Sequence, residues 1–285
     1  ASVASNTALT AEVPVLTVSD LRVSVGEAGG QELISDVSFS LAPGESMAIV
    51  GESGSGKSVL VKSILQLLPF PLEVTSGAVR YGETDLVGMD KREIRKLRSR
   101  EIAAILPNAK SQLNPLTTVG AMLTSALKAH EKINNKAALA RAVELLEMVG
   151  ISDPEQRMSA YPHELSGGMR QRVLIVMALC CGPRIIIADE PVSMLDVSIR
   201  AEVLELMKEI QKENNISMIY ITHDLATAKH FADDILILKS GKVMEIGTVE
   251  KVLSQPENPY TKALISAISE PDPKNLYKEK KILFE

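Results

Sequence analysis

One glycine-rich run of this sequence has the residue types and the spacing that bind phosphate groups. It matches the pattern G-x-x-x-x-G-K-[ST] at each fixed position and runs on into a valine: Gly51, Glu52, Ser53, Gly54, Ser55, Gly56, Lys57, Ser58 and Val59. Glycines let successive backbone N–H groups converge on phosphate oxygens, because no Cβ stands in the way. Lys57 can place its charge on β- and γ-phosphates, and the Ser58 hydroxyl can ligate Mg²⁺. The run predicts a site for a nucleotide and its magnesium ion.

The segments on either side of this run favour that interpretation. Ser46–Val50 is a short continuous apolar run, typical of a buried parallel strand. Val59–Leu68 has helical length and is stopped by Pro69, and the start of such a helix adds a positive dipole end. The alternative is a glycine- and serine-rich turn without function, which is disfavoured because motif and context agree.

A second apolar strand ends in two carboxylates. Ile185–Ala188 is followed directly by Asp189 and Glu190, and the carboxyl edge of a parallel sheet is where α/β proteins bind ligands. Asp189 can hold Mg²⁺ through water, and Glu190 can polarise an attacking water as general base. A strand ending in solvated acids is the alternative, and the phosphate loop in the same chain argues against it.

Strands alternate with helices along the chain, which predicts an α/β fold with a mostly parallel core sheet. The β-prone residues up to Val25 predict an antiparallel β subdomain, and residues 120–180 are mainly helical. We expect a disordered lead (1–13), a main domain (14–255) with an inserted helical subdomain at about 108–180, and a C-terminal extension (256–285) with a short helix and a loose tail.

Composition excludes several function classes. The net charge is −5, aromatic residues make up 3% and tryptophan is absent, so no nucleic-acid partner is expected. The two cysteines, Cys180 and Cys181, are adjacent, which fits a reducing compartment and no cysteine-based metal site. No run approaches the roughly 18 to 20 apolar residues that span a bilayer. Any action at a membrane would therefore depend on docking to partners.

With three further motifs in order, the sequence resembles the nucleotide-binding subunits of ATP-binding-cassette (ABC) transporters. The family signature resembles Leu165–Arg172, and the aspartate loop of the family resembles Leu195-Asp196. The segment that holds the switch histidine resembles Thr222-His223-Asp224. The resemblance implies a P-loop NTPase fold of the ABC cassette type, with ATP and Mg²⁺ as ligands. It also implies catalytic roles for Glu190 and His223, and metal binding by Ser58 and Asp189.

The signature residues Ser166, Gly167 and Gly168 offer backbone donors at the head of a helix. The resemblance implies a head-to-tail dimer in which they close the nucleotide site of a second nucleotide-binding subunit, identical or not. Taken alone, they could be a glycine-rich helix cap. His223 alone would more often be a histidine of the core or of a strand end, and only the ordered set of motifs favours its functional role.

Three segments are similar to the peptide and nickel importer branch of the family: Leu67-Leu68-Pro69 with Thr75-Ser76-Gly77, Ser111–Gly120, and Asn258–Leu264. This branch implies two membrane permease subunits, a separate solute-binding protein, and a location on the cytoplasmic face of the cell membrane. The branch implies that the transported solute is a peptide, nickel or a related small solute. The sequence of this chain does not specify which one, because selectivity lies in other polypeptides.

Two positions depart from the family pattern. Pro107 stands where a glutamine normally ligates Mg²⁺ and senses the membrane partner, and proline has no side-chain oxygen. Gln112 is five residues further on and is expected to face elsewhere. Val25 stands near the position of an adenine-stacking aromatic.

Three functions are therefore weighed. The leading one is the ATP-hydrolysing subunit of an importer, supported by Lys57, Ser58, Asp189, Glu190 and His223. The second is a regulatory subunit that binds ATP but hydrolyses it weakly, supported by Pro107. The third is a non-transport ABC protein, disfavoured because the chain has one cassette and no long heptads.

Overall fold

Two β-sheets and a set of helices make up the computed structural model of this chain, which describes residues 13–26, 30–107 and 112–269. The strands are β1 (Leu16–Val25), β2 (Glu32–Leu41), β3 (Ser46–Val50), β4 (Leu72–Tyr81), β5 (Thr84–Asp85), β6 (Ile102–Ile105), β7 (Ile185–Asp189), β8 (Ser217–Thr222), β9 (Asp234–Lys239) and β10 (Lys242–Thr248). The α-helices are α1 (Lys57–Ile64), α2 (Lys91–Arg98), α3 (Val119–His130), α4 (Asn135–Met148), α5 (Pro154–Arg157), α6 (Gly167–Leu179), α7 (Val197–Glu213), α8 (Leu225–Phe231), α9 (Val249–Ser254) and α10 (Pro259–Ser269).

The larger sheet has six strands in the order β10-β9-β3-β8-β7-β6. All neighbouring pairs are parallel except β9 with β10, so the predicted mostly parallel core sheet is confirmed. Strands β3, β7 and β8 are buried along their whole length. Their side chains enter core clusters on both faces of the sheet, which explains why these strands are continuously apolar in sequence. Their carboxyl ends lie at one edge.

The smaller sheet is antiparallel, in the order β2-β1-β4-β5, which confirms the predicted antiparallel part of the fold. Strand β1 is one ten-residue strand, where the sequence predicted short separate runs. An irregularity joins the runs: Asp20 has a φ of 47°, and a Cβ on Gly77 of β4 would lie 2.4 Å from the Asp20 carbonyl oxygen. The shift in register keeps Leu21 and Val23 buried beyond this point.

Helices α3 to α6 lie between β6 and β7 in the chain, where a helical insertion was expected. Helix α4 buries one apolar face, which consists of Ala138, Ala142, Leu145 and Leu146. Side chains of Thr118, Asn134 and Ser166 cap the N-termini of α3, α4 and α6. Polar caps at these three positions explain why the insertion divides into separate helices.

One helix boundary was predicted wrongly. Helix α1 ends at Ile64 and not at Leu68, because Gln66 adopts a φ of 52° and the Leu67 N–H donates to the Lys62 carbonyl at 2.7 Å. The turn thus ends the helix before Pro69 is reached. The expected short C-terminal helix is present as α10, while the lead up to residue 12 and the tail from residue 270 lie outside the described residues. No helix in the described part of the chain is long and apolar enough to cross a membrane.

A pair of carboxyl groups at the amino edge of the large sheet makes stability depend on pH. Glu45 faces Asp234, and its Oε2 accepts a hydrogen bond from the Ala42 N–H at 2.6 Å. Burial, with the hydrogen bond to Asp234 and the charges of Asp234 and Asp233, raises the pKa of Glu45 to about 7. The folded protein thus keeps a proton that the unfolded chain releases near pH 4.5. Stability is therefore lost as the pH rises from about 4.5 to about 7.

We expect Glu45→Gln to remove this pH dependence. The amide oxygen can still accept from Ala42, and the amide nitrogen can donate to Asp234 at any pH. At pH 8 the variant should be more stable than the parent by about 1 kcal/mol, a value reduced for the partial exposure of Glu45. At pH 4.5 the two should unfold at the same temperature. Thermal unfolding at both pH values measures this, with Glu213→Gln at the exposed end of α7 as the control. If the variant and the parent differ in unfolding temperature by the same amount at both pH values, the raised pKa of Glu45 is contradicted.

Candidate functional site

The glycine-rich loop connects β3 to α1, as a phosphate loop requires, and its glycines have local structural reasons. A Cβ on Gly51 would lie 2.2 Å from the Leu238 carbonyl oxygen of β9. Gly54 and Gly56 have φ values of 81° and 105°, a region that side chains with a Cβ rarely adopt. The Gly241 N–H donates to the Ser55 carbonyl at 2.8 Å. The loop is therefore held in shape by its own backbone and by the turn between β9 and β10.

Lys57 points its ammonium group back into this loop. Its Nζ donates to the carbonyl oxygens of Gly51 at 2.6 Å and Glu52 at 2.8 Å, and only 7% of the residue is exposed. Burial lowers the pKa of Lys57, while the charges of Glu190 and Asp189 oppose that shift. A buried cation held by two carbonyl oxygens can exchange these neutral partners for an anionic ligand.

The donors of the loop fit a phosphate ligand. The Ser55 hydroxyl is buried and has no hydrogen-bond partner among the described residues. An unsatisfied buried hydroxyl is costly unless a ligand supplies an acceptor. The open space around the Cα of Gly54 leaves room for such a ligand.

Asp189 at the end of β7 meets the loop at Ser58. The Ser58 Oγ lies 3.5 Å from the Asp189 Oδ2, and Asp189 is 7% exposed. Burial and the charge of Glu190 raise the pKa of Asp189, while Lys57 and the Ser58 hydroxyl lower it. No group of three or more His, Cys, Asp or Glu side chains in the described ranges could hold a metal ion. A magnesium ion at this hydroxyl–carboxylate pair would thus take further ligands from phosphate and water.

Glu190 and His223 form a contact between two strand ends. The His223 Nδ1 lies 3.0 Å from the Glu190 Oε1, with side chains 61% and 30% exposed. Glu190 has a φ of 46°, and its N–H donates to the Ile221 carbonyl at 2.9 Å. Ser193, which the sequence did not single out, donates its N–H and hydroxyl to the Glu190 carbonyl. A neutral imidazole here carries its proton on Nδ1, since a carboxylate is the acceptor.

The signature residues lie at the start of α6. The Ser166 hydroxyl accepts from the Met169 N–H at 3.2 Å, and a Cβ on Gly168 would lie 2.6 Å from a methyl carbon of Ile199. These contacts give Ser166 and Gly168 a structural role in capping α6 and packing it against α7. None of the hydrogen bonds found within residues 13–26, 30–107 and 112–269 joins Ser166–Gly168 to the phosphate loop.

The segment around Pro107 follows β6 and lies on the surface. Leu106 and Pro107 are exposed, and both hydrogen-bonding groups of the Leu106 backbone pair with the side-chain amide of Gln112. Gln112 therefore faces the backbone of its own loop.

Val25 lies at the end of β1 and is 37% exposed. Its neighbour Gly26 donates its N–H to the Pro71 carbonyl at 2.6 Å, and Phe70 before that proline is 93% exposed. An exposed aromatic residue that the sequence pattern did not connect with Val25 thus lies next to this strand end in the fold.

Comparisons with known proteins agree with this geometry. The family model described as ABC transporter matches residues 34–193, and the model of the oligopeptide/dipeptide transporter C-terminal region matches residues 244–283. The first match alone spans more than half of the chain.

Relatives and solved structures give the same assignment. The oligopeptide transport ATP-binding protein OppD of Bacillus subtilis (strain 168) is 45% identical over 256 residues, which cover 89% of this chain and 72% of OppD. The dipeptide transport ATP-binding protein DppD of the same organism is 46% identical over 256 residues, 89% of this chain and 76% of DppD. The dimeric post-hydrolysis structure of the ATP-binding cassette MJ0796 with ADP and Pi has a TM-score of 0.71 at 27% identity, and the match covers 82% of this chain and 98% of that one. The chain belongs to the ATP-binding subunits of ABC transporters.

Proposed function

We propose that this chain binds Mg-ATP and hydrolyses it to drive peptide import through an ABC transporter. The observation that carries the proposal is the contact of Glu190 with His223 at 3.0 Å, on the sheet edge that also holds Lys57 and Asp189. A phosphate-binding cation, an acidic metal ligand and a candidate base are thus grouped at one place. Phosphoryl transfer needs little more from a protein than such positioning and electrostatics.

Each residue has a distinct part in this proposal. The loop from Gly51 to Val59 binds the phosphates through its backbone N–H groups and Lys57. Ser58 and Asp189 hold Mg²⁺, which neutralises phosphate charge when bound. Glu190 accepts a proton from the attacking water, and His223 keeps its carboxylate oriented through the Nδ1 contact.

The names of the relatives support a peptide as the solute and permease subunits as partners. OppD and DppD are named for oligopeptide and dipeptide transport, and the C-terminal match carries the same description. We infer that the chain works with two permease subunits at the cytoplasmic face of the membrane, and that a separate protein captures the peptide. A second nucleotide-binding subunit supplies Ser166, Gly167 and Gly168 to each site, and the similarity to a dimeric ATP-binding cassette supports this arrangement.

Transport by the complete complex tests this function. The chain is reconstituted with its permease and nucleotide-binding partners in lipid vesicles, and uptake of a labelled dipeptide is followed with ATP, without ATP and with a non-hydrolysable analogue. We expect uptake only with hydrolysable ATP. Uptake at the same rate without ATP would contradict the proposal.

A weakly hydrolysing regulatory subunit is a second candidate function, and Pro107 favours it. The loop after β6 offers no side-chain oxygen at position 107, and Gln112 is held by the Leu106 backbone. ATP binding would persist, since water can replace a metal ligand, whereas the alignment of the attacking water would be poorer.

We expect Pro107→Gln to raise ATP turnover in the complete complex by about tenfold, the equivalent of one hydrogen bond of about 1.4 kcal/mol in the transition state. Pro43→Gln is the matched control, since Pro43 is an exposed proline in the turn between β2 and β3 at the far edge of the sheet. Steady-state phosphate release measures both. If Pro107→Gln and Pro43→Gln have the same turnover as the parent, position 107 does not limit hydrolysis.

A further inference from the structure

Helix α2 and the turn after it concentrate positive charge on a chain whose net charge is −5. The cations of this segment are Lys91, Arg92, Arg95, Lys96, Arg98 and Arg100. All of them except Arg98 are exposed, while Ile94 is buried and Leu97 is half-buried. With 3.6 residues per turn, Lys91, Arg92, Arg95 and Lys96 fall on one side of the helix, opposite Ile94 and Leu97. These four residues are called the basic face below.

The basic face has no counter-charge of its own. In the part of the chain that the structure describes, no ion pair joins any of its four cations to a carboxylate. Two of the carboxylates between residues 90 and 101 are already bound. Asp90 accepts the Arg92 N–H at 2.8 Å as the helix cap, and Glu101 accepts the Tyr81 hydroxyl at 2.6 Å. Only Glu93 is left, so the face keeps an excess of positive charge.

The stability of the helix does not explain this arrangement. Lys91 and Arg95 are four residues apart, as are Arg92 and Lys96, and like charges at this spacing repel each other. Lys91 and Arg92 also lie in the first turn, where the helix dipole disfavours cations, although the dipole favours Arg95 and Lys96 further on. Burial, and then the charge of Arg95, lower the pKa of Arg98. Uncompensated repulsion of this kind favours a negatively charged partner outside the chain.

Arg98 fixes the basic face beside an exposed apolar segment. Its Nη1 donates to the carbonyl oxygens of Leu65 at 2.6 Å and Gln66 at 3.3 Å, in the turn after α1. The next residues of that segment include Leu67, which is 48% exposed, and Phe70, which is 93% exposed. Leu67 lines the same cavity as Arg98. Exposed leucine and aromatic side chains beside lysine and arginine are typical of surfaces that rest on lipid headgroups.

We propose that the basic face of α2 binds anionic lipid headgroups, so that this chain contacts the membrane directly. The ammonium and guanidinium groups donate to the phosphate oxygens of the headgroups. The cations are spread along an open helix face, which suits a mobile layer of headgroups better than one fixed carboxylate. Screening limits electrostatic attraction to about 8 Å at physiological salt, so the local face outweighs the net charge of the chain. The contact goes beyond the proposed function, because it needs neither ATP nor a permease.

Sedimentation of the full chain with lipid vesicles tests the proposal. One set of vesicles is made of phosphatidylcholine alone, and the other of phosphatidylcholine and phosphatidylglycerol in equal parts. Without ATP, we expect the chain to bind the anionic vesicles at least about tenfold more tightly than the neutral ones, and to lose this preference in about 1 M salt. Equal binding to both sets of vesicles, or no binding to either, would overturn the proposal.

A variant with four substitutions locates the contact on α2. The substitutions are Lys91→Gln, Arg92→Gln, Arg95→Gln and Lys96→Gln. We expect this variant to bind anionic vesicles at least about tenfold more weakly than the parent. The matched control removes the same number of exposed lysines elsewhere, by Lys132→Gln, Lys136→Gln, Lys212→Gln and Lys229→Gln. It should bind within about twofold of the parent. If both variants lose the same affinity, net charge and not the basic face is responsible, and the proposal is wrong.

Two further measurements on the α2 variant separate lipid binding from other roles. Its unfolding temperature should be no lower than that of the parent, because like-charge repulsion has been removed. A lower unfolding temperature would contradict the proposal, since the cations would then stabilise the fold. If the variant still binds anionic vesicles but assembles poorly with the permease subunits, the basic face contacts protein and not lipid. The proposed function is tested separately, because binding of Mg-ATP and ATP-dependent uptake do not depend on what this face contacts.

Discussion

Lys57→Ala is expected to raise the Kd of this chain for Mg-ATP by at least about a hundredfold. The ammonium group is the buried cation of the phosphate loop, and it already points at the carbonyl oxygens of Gly51 and Glu52. Hydrogen bonds between charged partners contribute about 1.5–3 kcal/mol each, and a lysine facing two phosphates makes more than one. Alanine also removes the Lys57 donor from both carbonyl oxygens and leaves Glu52 with only the Ser55 N–H, so the loop loses a restraint as well as its charge.

Calorimetry of the purified chain measures this loss of affinity. Lys62→Ala is the matched control, since Lys62 lies on the same helix with its side chain on the surface. It should bind ATP within about twofold of the parent. The circular dichroism spectrum of Lys57→Ala should match that of the parent, which separates lost binding from lost folding. Equal affinity of Lys57→Ala and the parent would mean that the Gly51–Ser58 loop is not the nucleotide site.

Glu190→Gln is expected to lower ATP turnover by a factor on the order of 10² to 10⁴ while ATP binding persists. Glutamine has nearly the same shape, and its amide can still pair with the His223 Nδ1, but it cannot accept a proton from water. The contacts of the backbone at position 190 with Ile221 and Ser193 do not depend on the carboxylate. Binding, by contrast, depends on Lys57 and the loop, which are unchanged.

Phosphate release by the complete complex measures turnover, and calorimetry on the same variant measures affinity. Glu209→Gln on the exposed face of α7 is the control for the removal of a carboxylate elsewhere. We expect the Glu190 variant to accumulate as an ATP-bound dimer in gel filtration, because ATP that is not hydrolysed continues to bridge the two subunits. Unchanged turnover would refute the role of Glu190 as general base. A parallel loss of affinity would show that Glu190 acts on binding instead.

Local sequence patterns determined much of the candidate site. The Gly51–Ser58 loop could be identified because phosphate binding by backbone N–H groups needs glycines at fixed positions between a strand and a helix. Strands β3 and β7 could be placed because core clusters cover both faces of the sheet, which requires continuous apolar runs. Asp189 and Glu190 followed from the end of one such strand.

Only the tertiary structure decided which of these residues meet. Hydrophobic runs specify that a strand is buried, but they do not specify its neighbours, so the order β9-β3-β8-β7 could not be deduced from them. That order brings His223 of one strand end to Glu190 of another, and Asp189 to Ser58. The same limit applies to Gln112, whose pairing with the Leu106 backbone depends on how the loop after β6 folds back.

The C-terminal helix shows most clearly that a local pattern predicts an element but not its contacts. A short helix was predicted because prolines such as Pro256 and Pro271 interrupt the sequence there, and this is a local property of the chain. That Tyr260 of this helix joins the core cluster of Val50 follows from the packing of α10 against β10, where Glu245 and Asn258 hold the start of the helix. Local composition and spacing thus determined the chemistry available to this protein, because backbone conformation and metal or phosphate affinity depend on residue type. The contacts that position this chemistry join residues far apart in the chain, and only the folded sheet brings them within bonding distance.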